Sequence, residues 1–332
     1  MISRTLVLRR RPTGLVTAQD VVLEERAVPT LQEGSVLIKN RFLSIDPAIR
    51  DWMSDHKSYL PPIALGEVVR STTLGEVVNS CHASFVKGQL AWGLNGWEEY
   101  SVVSGDHLVL VPESLDQPQH ALSIYGAVGM TAYFALLEVG LPKPGDTVLV
   151  SGAAGMVGSL VGQIAKIKGC RVVGIAGSEE KCRWLEELGF DATLNYKSSS
   201  DLDAAIADAC PEGVDIYFDN VGGEILDAAL LNINHRARIV FCGAISTYNA
   251  EEPVPGPYNI WQILAKSARM EGFLVRDYFH RFPDGIRHMK EWVDAGDIIF
   301  SEHIVNGVEE TLTAFNMLFE GTNKGKMLVK LD

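Results

Sequence analysis

The sequence has few cysteines and no metal-ligand spacing. Its five cysteines in 332 residues form no C-x-x-C pair, which excludes a disulfide framework and a four-cysteine zinc lobe. The eight histidines include neither an H-E-x-x-H motif nor a clustered pair, so we expect no metal site. No apolar run is long enough to span a membrane, and the basic N-terminus lacks the apolar core of a signal peptide. We therefore expect reduced thiols, no membrane partner and a cytoplasmic location.

Positive charge is also scarce. The chain has 29 Lys and Arg against 42 Asp and Glu, a formal net charge of -13, and no basic run offsets it. A nucleic-acid backbone would be repelled, so we expect no nucleic-acid partner. Hydrophobic residues make up 47% and charged residues 21%, which is typical of a globular protein, and the length favours two domains.

The pattern of apolar residues changes once along the chain. Up to about Pro118, short alternating runs are broken by Gly and Pro, which indicates a small β unit. From about Ser123, strand-like and helix-like patterns alternate, which indicates βαβ units and a parallel sheet. The helix-like stretch "TAYFALLEVG" marks the boundary.

A glycine motif opens the second region. Gly152, Gly155 and Gly158 follow the buried strand "DTVLVSG" and precede apolar residues at helical spacing. The first gap is one residue longer than in the G-x-G-x-x-G dinucleotide fingerprint, and a glycine-rich packing turn would show the same bare motif. The strand before it and the helix after it favour a pyrophosphate site, because backbone amides at a helix N-terminus bind anions.

The end of the next strand distinguishes the two nicotinamide cofactors. NAD sites usually place an acidic residue there to bind the ribose 2′-hydroxyl. Here the strand ends in Ala176, Gly177 and Ser178, with Lys181 one turn into the following helix. The missing carboxylate and the nearby cation predict NADP, unless Lys181 simply lies on a solvated helix face.

Six stretches together resemble one known family: "SIDPAIRDWMSDHKSY", "TAYFALLEVG", "GAAGMVGSLVGQIAKIKGCRVVGIAGSEEKC", "YFDNVGG", "CGAISTYN" and "GTNKGKMLVK". The sequence is similar to the zinc-independent medium-chain dehydrogenases/reductases that reduce activated C=C bonds. These include the leukotriene/prostaglandin reductases, the alkenal double-bond reductases and, most similar, the bacterial NADPH-dependent curcumin reductases. The stretches follow the family order from about residue 44 to 330.

The resemblance implies an α/β fold in two domains. A GroES-like, β-rich catalytic domain would comprise residues 1–124 and 297–332, and a doubly wound Rossmann domain would comprise residues 125–296. It also implies NADPH as hydride donor and a homodimer. The family commonly has an aromatic residue where this chain has Ala48 and Ile49, which would enlarge the substrate side of the site.

The resemblance also assigns cofactor residues. They come from the glycine turn, the ends of later strands and the C-terminal segment: Gly152, Gly155, Met156, Val157, Gly158, Lys181, Tyr196, Asn220, Cys242, Gly243, Ala244, Ile245, Ser246, Thr247, Tyr248, Phe273, Leu274, Val275 and Asn323. Phe273 and Val275 fit a core strand equally well on pattern alone.

Enone reduction without a metal needs a hydride at the β-carbon, stabilisation of the enolate oxygen and a proton at the α-carbon. Tyr248 is the candidate catalytic residue, because a neutral phenol can donate a hydrogen bond or a proton. The alternative is that Tyr248 only stacks on substrate or cofactor. Candidate substrate contacts are Arg50, Trp52, Tyr59 and Tyr258; Arg50 could instead form a surface ion pair.

The predicted function is NADPH-dependent reduction of the C=C bond of α,β-unsaturated aldehydes or ketones, which are small-molecule substrates. Two alternatives stay open: an NADPH quinone reductase of the same superfamily, and a non-catalytic NADPH-binding regulatory protein.

Overall fold

The computed structural model describes residues 1–331, which form two compact units. Unit 1 comprises Met1–Leu122 and the C-terminal segment from Glu302 onward, and unit 2 comprises Ser123–Ser301. The sequence predicts domain boundaries between residues 124 and 125 and between residues 296 and 297. In the structure the second boundary lies five residues later, between residues 301 and 302. The reason is that Ile298 packs in the unit 2 core and the amide of Ile299 donates to the side chain of Gln163.

The strands are β1 Ile2–Leu8, β2 Val21–Ala27, β3 Ser35–Ser44, β4 Arg70–Ser80, β5 Leu90–Gly96, β6 Tyr100–Ser104, β7 Leu108–Leu110, β8 Thr147–Val150, β9 Arg171–Ala176, β10 Ala192–Asn195, β11 Val214–Asp219, β12 Ile233–Phe241, β13 Arg269–Gly272, β14 Glu302–Asn306 and β15 Lys326–Lys330. The α-helices are α1 Ala48–Trp52, α2 Ala127–Phe134, α3 Met156–Ile167, α4 Glu179–Glu187, α5 Leu202–Ala209, α6 Gly223–Leu231, α7 Trp261–Ala265, α8 Phe282–Ala295 and α9 Thr311–Glu320. A π-helix, Ala135–Gly140, continues α2. The 3₁₀ turns are Gly105–His107, Pro118–Leu122, Ile245–Thr247, Tyr258–Ile260, Val275–Arg281 and Val308–Glu310.

Unit 2 is built on a six-stranded parallel sheet. Its strand order is β10-β9-β8-β11-β12-β13, which is the 3-2-1-4-5-6 order of the doubly wound dinucleotide-binding fold. All four residues of β8 are buried, because helices cover both faces of such a sheet. Val148 and Val150 pack in one core with α3, and Leu149 packs in the other with α6. The predicted Rossmann architecture is confirmed.

Unit 1 is β-rich. Its main sheet has the order β14-β15-β3-β4-β5-β7, with β6 paired to β3, and β1 and β2 form a separate antiparallel pair. The C-terminal strand β15 is antiparallel to β3. The C-terminal segment therefore completes the β unit formed by the first third of the chain, as the resemblance implied.

None of the helices within residues 1–331 combines the length and the apolarity needed to cross a bilayer.

Candidate functional site

The carboxyl edge of the unit 2 sheet brings together most of the predicted cofactor residues. The strand order reverses between β8 and β11, and ligands bind at such a switch point because the loops there diverge. The glycine turn Gly152–Gly158 follows β8, Asn220 follows β11, and the segment Gly243–Tyr248 follows β12. This placement follows from the parallel sheet alone.

Two positions of the glycine turn, Gly152 and Gly158, require glycine. Gly152 has φ +57°, a left-handed conformation that favours glycine. A Cβ on Gly158 would lie 2.6 Å from the carbonyl oxygen of Gly152 and 2.7 Å from Cα of Ala153. No side chain caps the N-terminus of α3, so the amides of its first turn can bind an anion. The turn fits a pyrophosphate.

A second corner of the edge fits a 2′-phosphate. Ser178 caps α4 by accepting from the amide of Lys181. A Cβ on Gly177 would lie 3.2 Å from the Tyr196 ring and 3.4 Å from Cε of Lys197, and the Lys197 ammonium lies 6.0 Å from the centre of that ring. Burial lowers the pKa of Lys181, and the positive charge of Lys197 lowers it further. The two lysines and the Tyr196 phenol thus lie near the end of β9, where the missing carboxylate predicts NADP in place of NAD.

Sequence reasoning missed Lys197. It directly follows Tyr196 in "NYK", after β10, and β10 is adjacent to β9. The signal was available, because adjacent parallel strands end at the same edge and a lysine there can contact a ligand held at the end of β9.

Asp219, the last residue of β11, fixes the turn that follows it. Its Oδ1 accepts from the Ser151 hydroxyl at 3.0 Å, the Tyr217 hydroxyl at 2.8 Å and the amides of Val221 and Gly222 at 3.0 and 2.9 Å. Burial raises the pKa of this carboxyl and outweighs those hydrogen bonds. Oδ2 is buried and has no partner among the described residues. Asp219 therefore holds Ser151, at the end of β8, and the turn after β11 in fixed positions at the switch point.

Tyr248 is anchored to the loop after β12. Its hydroxyl oxygen accepts from the amide of Ala244 at 3.3 Å. The loop is itself bonded to the turn after β11, through Ile245 to the carbonyl of Asn220 and Ser246 to that of Val221. Tyr248 is half-buried. The bond to Ala244 uses a lone pair of the phenol oxygen and leaves its proton out of that contact, which is compatible with a donor role.

Two predicted cofactor residues, Phe273 and Cys242, pack in or against the hydrophobic core of unit 2. Phe273 is buried and stacks on Tyr278, with ring centres 5.1 Å apart. Burial and the charge of Asp219 raise the pKa of Cys242 to about 12. The Phe273 side chain therefore lies in the core, as that alternative predicted, but it follows β13 and is not part of the strand. A contact of the segment Phe273–Val275 with nicotinamide stays a prediction.

Arg50, a predicted substrate residue of unit 1, is buried. Arg50 is 2% exposed and donates to the carbonyls of Pro12 and Gly14 and to the hydroxyl of Ser54. The alternative of a surface ion pair for Arg50 is wrong, because the guanidinium is buried. Its contact with an acidic substrate group stays a prediction.

Aromatic candidates occur in both units. Trp52 is buried, packs edge-on against Tyr59 with ring centres 6.2 Å apart, and has an indole N–H without a partner among residues 1–331. Tyr258, in unit 2, is 80% exposed. In the C-terminal segment, Asn323 donates weakly to the carbonyl of Gly325 at 3.4 Å. Their contacts with substrate or cofactor stay predictions.

Comparison with known proteins agrees with this geometry. Residues 4–111 match the family model described as the N-terminal domain of oxidoreductase, and residues 156–291 match that of zinc-binding dehydrogenase. The NADPH-dependent curcumin reductase of Escherichia coli is 42% identical, with 99% of this chain and 97% of that protein covered. The chain belongs to the family of zinc-independent medium-chain reductases that includes the curcumin, alkenal and prostaglandin reductases.

Two further relatives support the assignment. The NADP⁺-dependent 2-alkenal reductase of Nicotiana tabacum is 40% identical over 99% of this chain and 98% of its own length. The crystal structure of CurA from Vibrio vulnificus in complex with NADPH has a TM-score of 0.94 and 41% identity, and 99% of each chain is covered. The protein is an NADP-dependent oxidoreductase acting on C=C bonds, with NADPH as its cofactor.

One family model carries the word zinc in its description. Across residues 1–331 the structure groups no three His, Cys, Asp or Glu side chains in a way that could hold a metal ion. Within those residues the chain therefore lacks the ligand set that the name implies.

Proposed function

We propose that the protein reduces the C=C bond of α,β-unsaturated aldehydes and ketones, and that the hydride is added at the β-carbon. The single observation that carries this proposal is the position of Tyr248. Its phenol oxygen accepts from the amide of Ala244 in the loop after β12, and that loop is hydrogen-bonded through Ile245 and Ser246 to the turn after β11 at the switch point. When bound there, NADPH supplies the hydride.

The chain's own residues provide binding and orientation. The amides at the start of α3 bind the pyrophosphate, and Lys181, Tyr196 and Lys197 bind the 2′-phosphate. Tyr248 donates a hydrogen bond to the substrate carbonyl oxygen as negative charge develops on it, or supplies the proton for the α-carbon. Trp52, Tyr59 and Tyr258 are proposed contacts for the apolar part of the substrate.

Substitution of Tyr248 by Phe tests this role. We expect kcat for a small enone to fall about 10²-fold or more, as for loss of a general acid or an oxyanion donor, while the Kd for NADPH changes less than threefold. An unchanged kcat would remove Tyr248 from the mechanism. Rapid NADPH oxidation with a quinone, without a saturated carbonyl product from any enone, would instead favour the quinone reductase alternative.

We also propose a homodimer. The strand β13 forms one edge of the unit 2 sheet, and the neighbouring segment exposes Trp261 (67%) and Leu264 (66%). Unpaired sheet edges and exposed apolar patches of this kind are typical of subunit interfaces.

Sedimentation velocity tests the dimer. The wild type is expected to sediment as a dimer and the double variant Trp261→Glu/Leu264→Glu as a monomer. The control Leu65→Glu changes an exposed leucine of unit 1 and is expected to leave the dimer intact. A monomeric wild type would refute this part of the proposal.

A further inference from the structure

A buried lysine lies where the pairing of β15 with β3 ends. Lys326, the first residue of β15, is 2% exposed. The two strands are antiparallel, with Leu328 opposite Ser44, and the amide of Ile45 donates to the carbonyl of Met327 at 3.2 Å. Continuing this register places Lys326 opposite Asp46. Pro47 follows, and the ladder cannot continue because proline has no N–H.

Beyond the last backbone hydrogen bond between β15 and β3, the side chain of Lys326 connects the two segments. Its Nζ donates to the carbonyl of Ile45 at 2.9 Å and to Oδ1 of Asp46 at 2.8 Å. The other carboxylate oxygen of Asp46 accepts from the hydroxyl of Ser44 at 2.5 Å. One ammonium group therefore fixes both the backbone and the side chain of the segment that enters α1.

The helix α1 depends on such anchors. It has only five residues, which is too short to be stable by itself, and its Pro47 N-cap forms no side-chain cap. The amide of Ile49 donates to the carbonyl of Asp46 at 3.1 Å, so the position of Asp46 sets the first turn. At the far end, the carbonyl of Trp52 accepts from the amide of Ile63 at 2.8 Å.

The chemistry of this contact favours a role in geometry over a role in stability. The Lys326 side chain is 2% exposed and the Asp46 side chain 28% exposed, and the free energy lost in removing such charges from water offsets much of their attraction. What such a pair does provide is one defined arrangement, since an ammonium group requires acceptors at fixed positions. The helix held in this way carries Ala48 and Trp52, which lie at the predicted substrate side.

We propose that Lys326 is a positioning residue for the substrate side of the site: through Ile45 and Asp46 it holds α1 in place and thereby determines which enones the enzyme accepts. This inference rests on the proposed function. A purely structural lysine would affect the stability of the fold. As a positioning residue, Lys326 is expected to affect the discrimination between substrates more than it affects stability.

Two variants and a matched control test it in the full-length protein. Lys326→Met removes the ammonium group, and Lys326→Arg retains a cation. Lys330→Met changes an exposed lysine of the same strand. Hydrogen exchange is measured by mass spectrometry on peptides spanning residues 45–53, and kcat and KM are measured for a small aliphatic enone and a bulky aromatic enone.

For Lys326→Met we expect at least tenfold faster exchange confined to residues 45–53, and at least a fivefold rise in KM for the bulky enone. We expect kcat for the small enone and Kd for NADPH to change less than twofold. Lys326→Arg should recover most of the discrimination, and Lys330→Met should match the wild type. Should Lys326→Met not fold, Asp46→Ala removes the same side-chain acceptor at a partly exposed carboxylate and is expected to show the same pattern.

Unchanged exchange at residues 45–53, or equal changes for both enones, would overturn the inference. Its failure is distinguishable from failure of the proposed function. If the wild type reduces no enone, the proposed function fails, and the exchange measurement still decides whether Lys326 fixes α1.

Discussion

The side-chain amide of Asn220 donates to the carbonyl oxygen of Ser151 at 2.8 Å, and the Ser151 hydroxyl accepts from the backbone amide of Asn220 at 2.9 Å. These two bonds tie the end of β11 to the end of β8 at the point where the strand order reverses. The glycine turn begins at the next residue, Gly152. The shape of the cofactor site is therefore set by residues 69 positions apart in the sequence.

Substitution of Gly158 by Ala is expected to weaken NADPH binding. The new Cβ would lie 2.6 Å from the carbonyl oxygen of Gly152, so the turn must shift and the amides that bind pyrophosphate move with it. We expect at least a tenfold rise in Kd, about 1.4 kcal/mol or more. Isothermal titration with NADPH measures it.

Gly256→Ala is the control for that measurement, because a Cβ there meets nothing within 4 Å. An affinity of Gly158→Ala equal to that of this control would contradict the account of the turn.

Substitution of Lys197 by Ala is expected to reduce the preference for NADPH over NADH. The Lys197 ammonium contributes positive charge next to Lys181 and Tyr196, and only the 2′-phosphate of NADPH uses it. We expect KM for NADPH to rise about tenfold and KM for NADH to stay within twofold. Lys143→Ala, at an exposed lysine of the same unit, serves as control. Equal effects on both cofactors would place Lys197 outside the phosphate site.

The sequence pattern predicted much of unit 2 because its signals are local. The buried strand β8, the amphipathic helix α3 and the N-cap Ser178 each follow from residues adjacent in the chain. Lys197 was missed because its role depends on which strands are neighbours, and Lys326 because its acceptors lie about 280 residues away. Contacts of that kind leave no periodic signal in the sequence.

Glu98 is expected to make unit 1 less stable as the pH rises. Burial raises its pKa to about 7, against the hydrogen bond from Ser101 and the charge of Arg26, which both lower it. The native state thus holds this proton more tightly than the unfolded chain, whose glutamate has its ordinary pKa of 4.5. The free energy of unfolding should fall between about pH 4.5 and pH 7 and stay reduced above that range.

Glu98→Gln is therefore expected to stabilise the protein at pH 8 by about 1–3 kcal/mol, measured by urea denaturation. The adjacent Glu99 is the matched control. Burial acts against its charge, but hydrogen bonds from Arg4 prevail and lower its pKa, so Glu99→Gln should destabilise at pH 8. Stabilisation by both variants would contradict the assignment to Glu98.

Thiol titration of the native protein is expected to detect one reactive cysteine. Cys81 is exposed. Burial raises the pKa of Cys170 and Cys210 to about 11 and that of Cys242 to about 12, and it also raises the pKa of Cys182. Because the thiolate is the reactive form, an aromatic disulfide reagent at pH 7.5 should react with one thiol per chain in the native state and with five in denaturant.

Cys81→Ser should abolish the fast reaction and leave NADPH turnover unchanged. Rapid modification of a second thiol in the native Cys81→Ser variant would contradict the burial of Cys170, Cys182 and Cys210 or the raised pKa of Cys242.

Isotope labelling shows which carbon of the substrate receives the hydride. The protein is incubated with NADPH that carries deuterium at the transferring position of the nicotinamide, together with a small α,β-unsaturated ketone, and the product is analysed by NMR and mass spectrometry. We expect a saturated ketone with one deuterium at the β-carbon. An allylic alcohol with deuterium at the carbonyl carbon, or no labelled product despite tight NADPH binding, would contradict it.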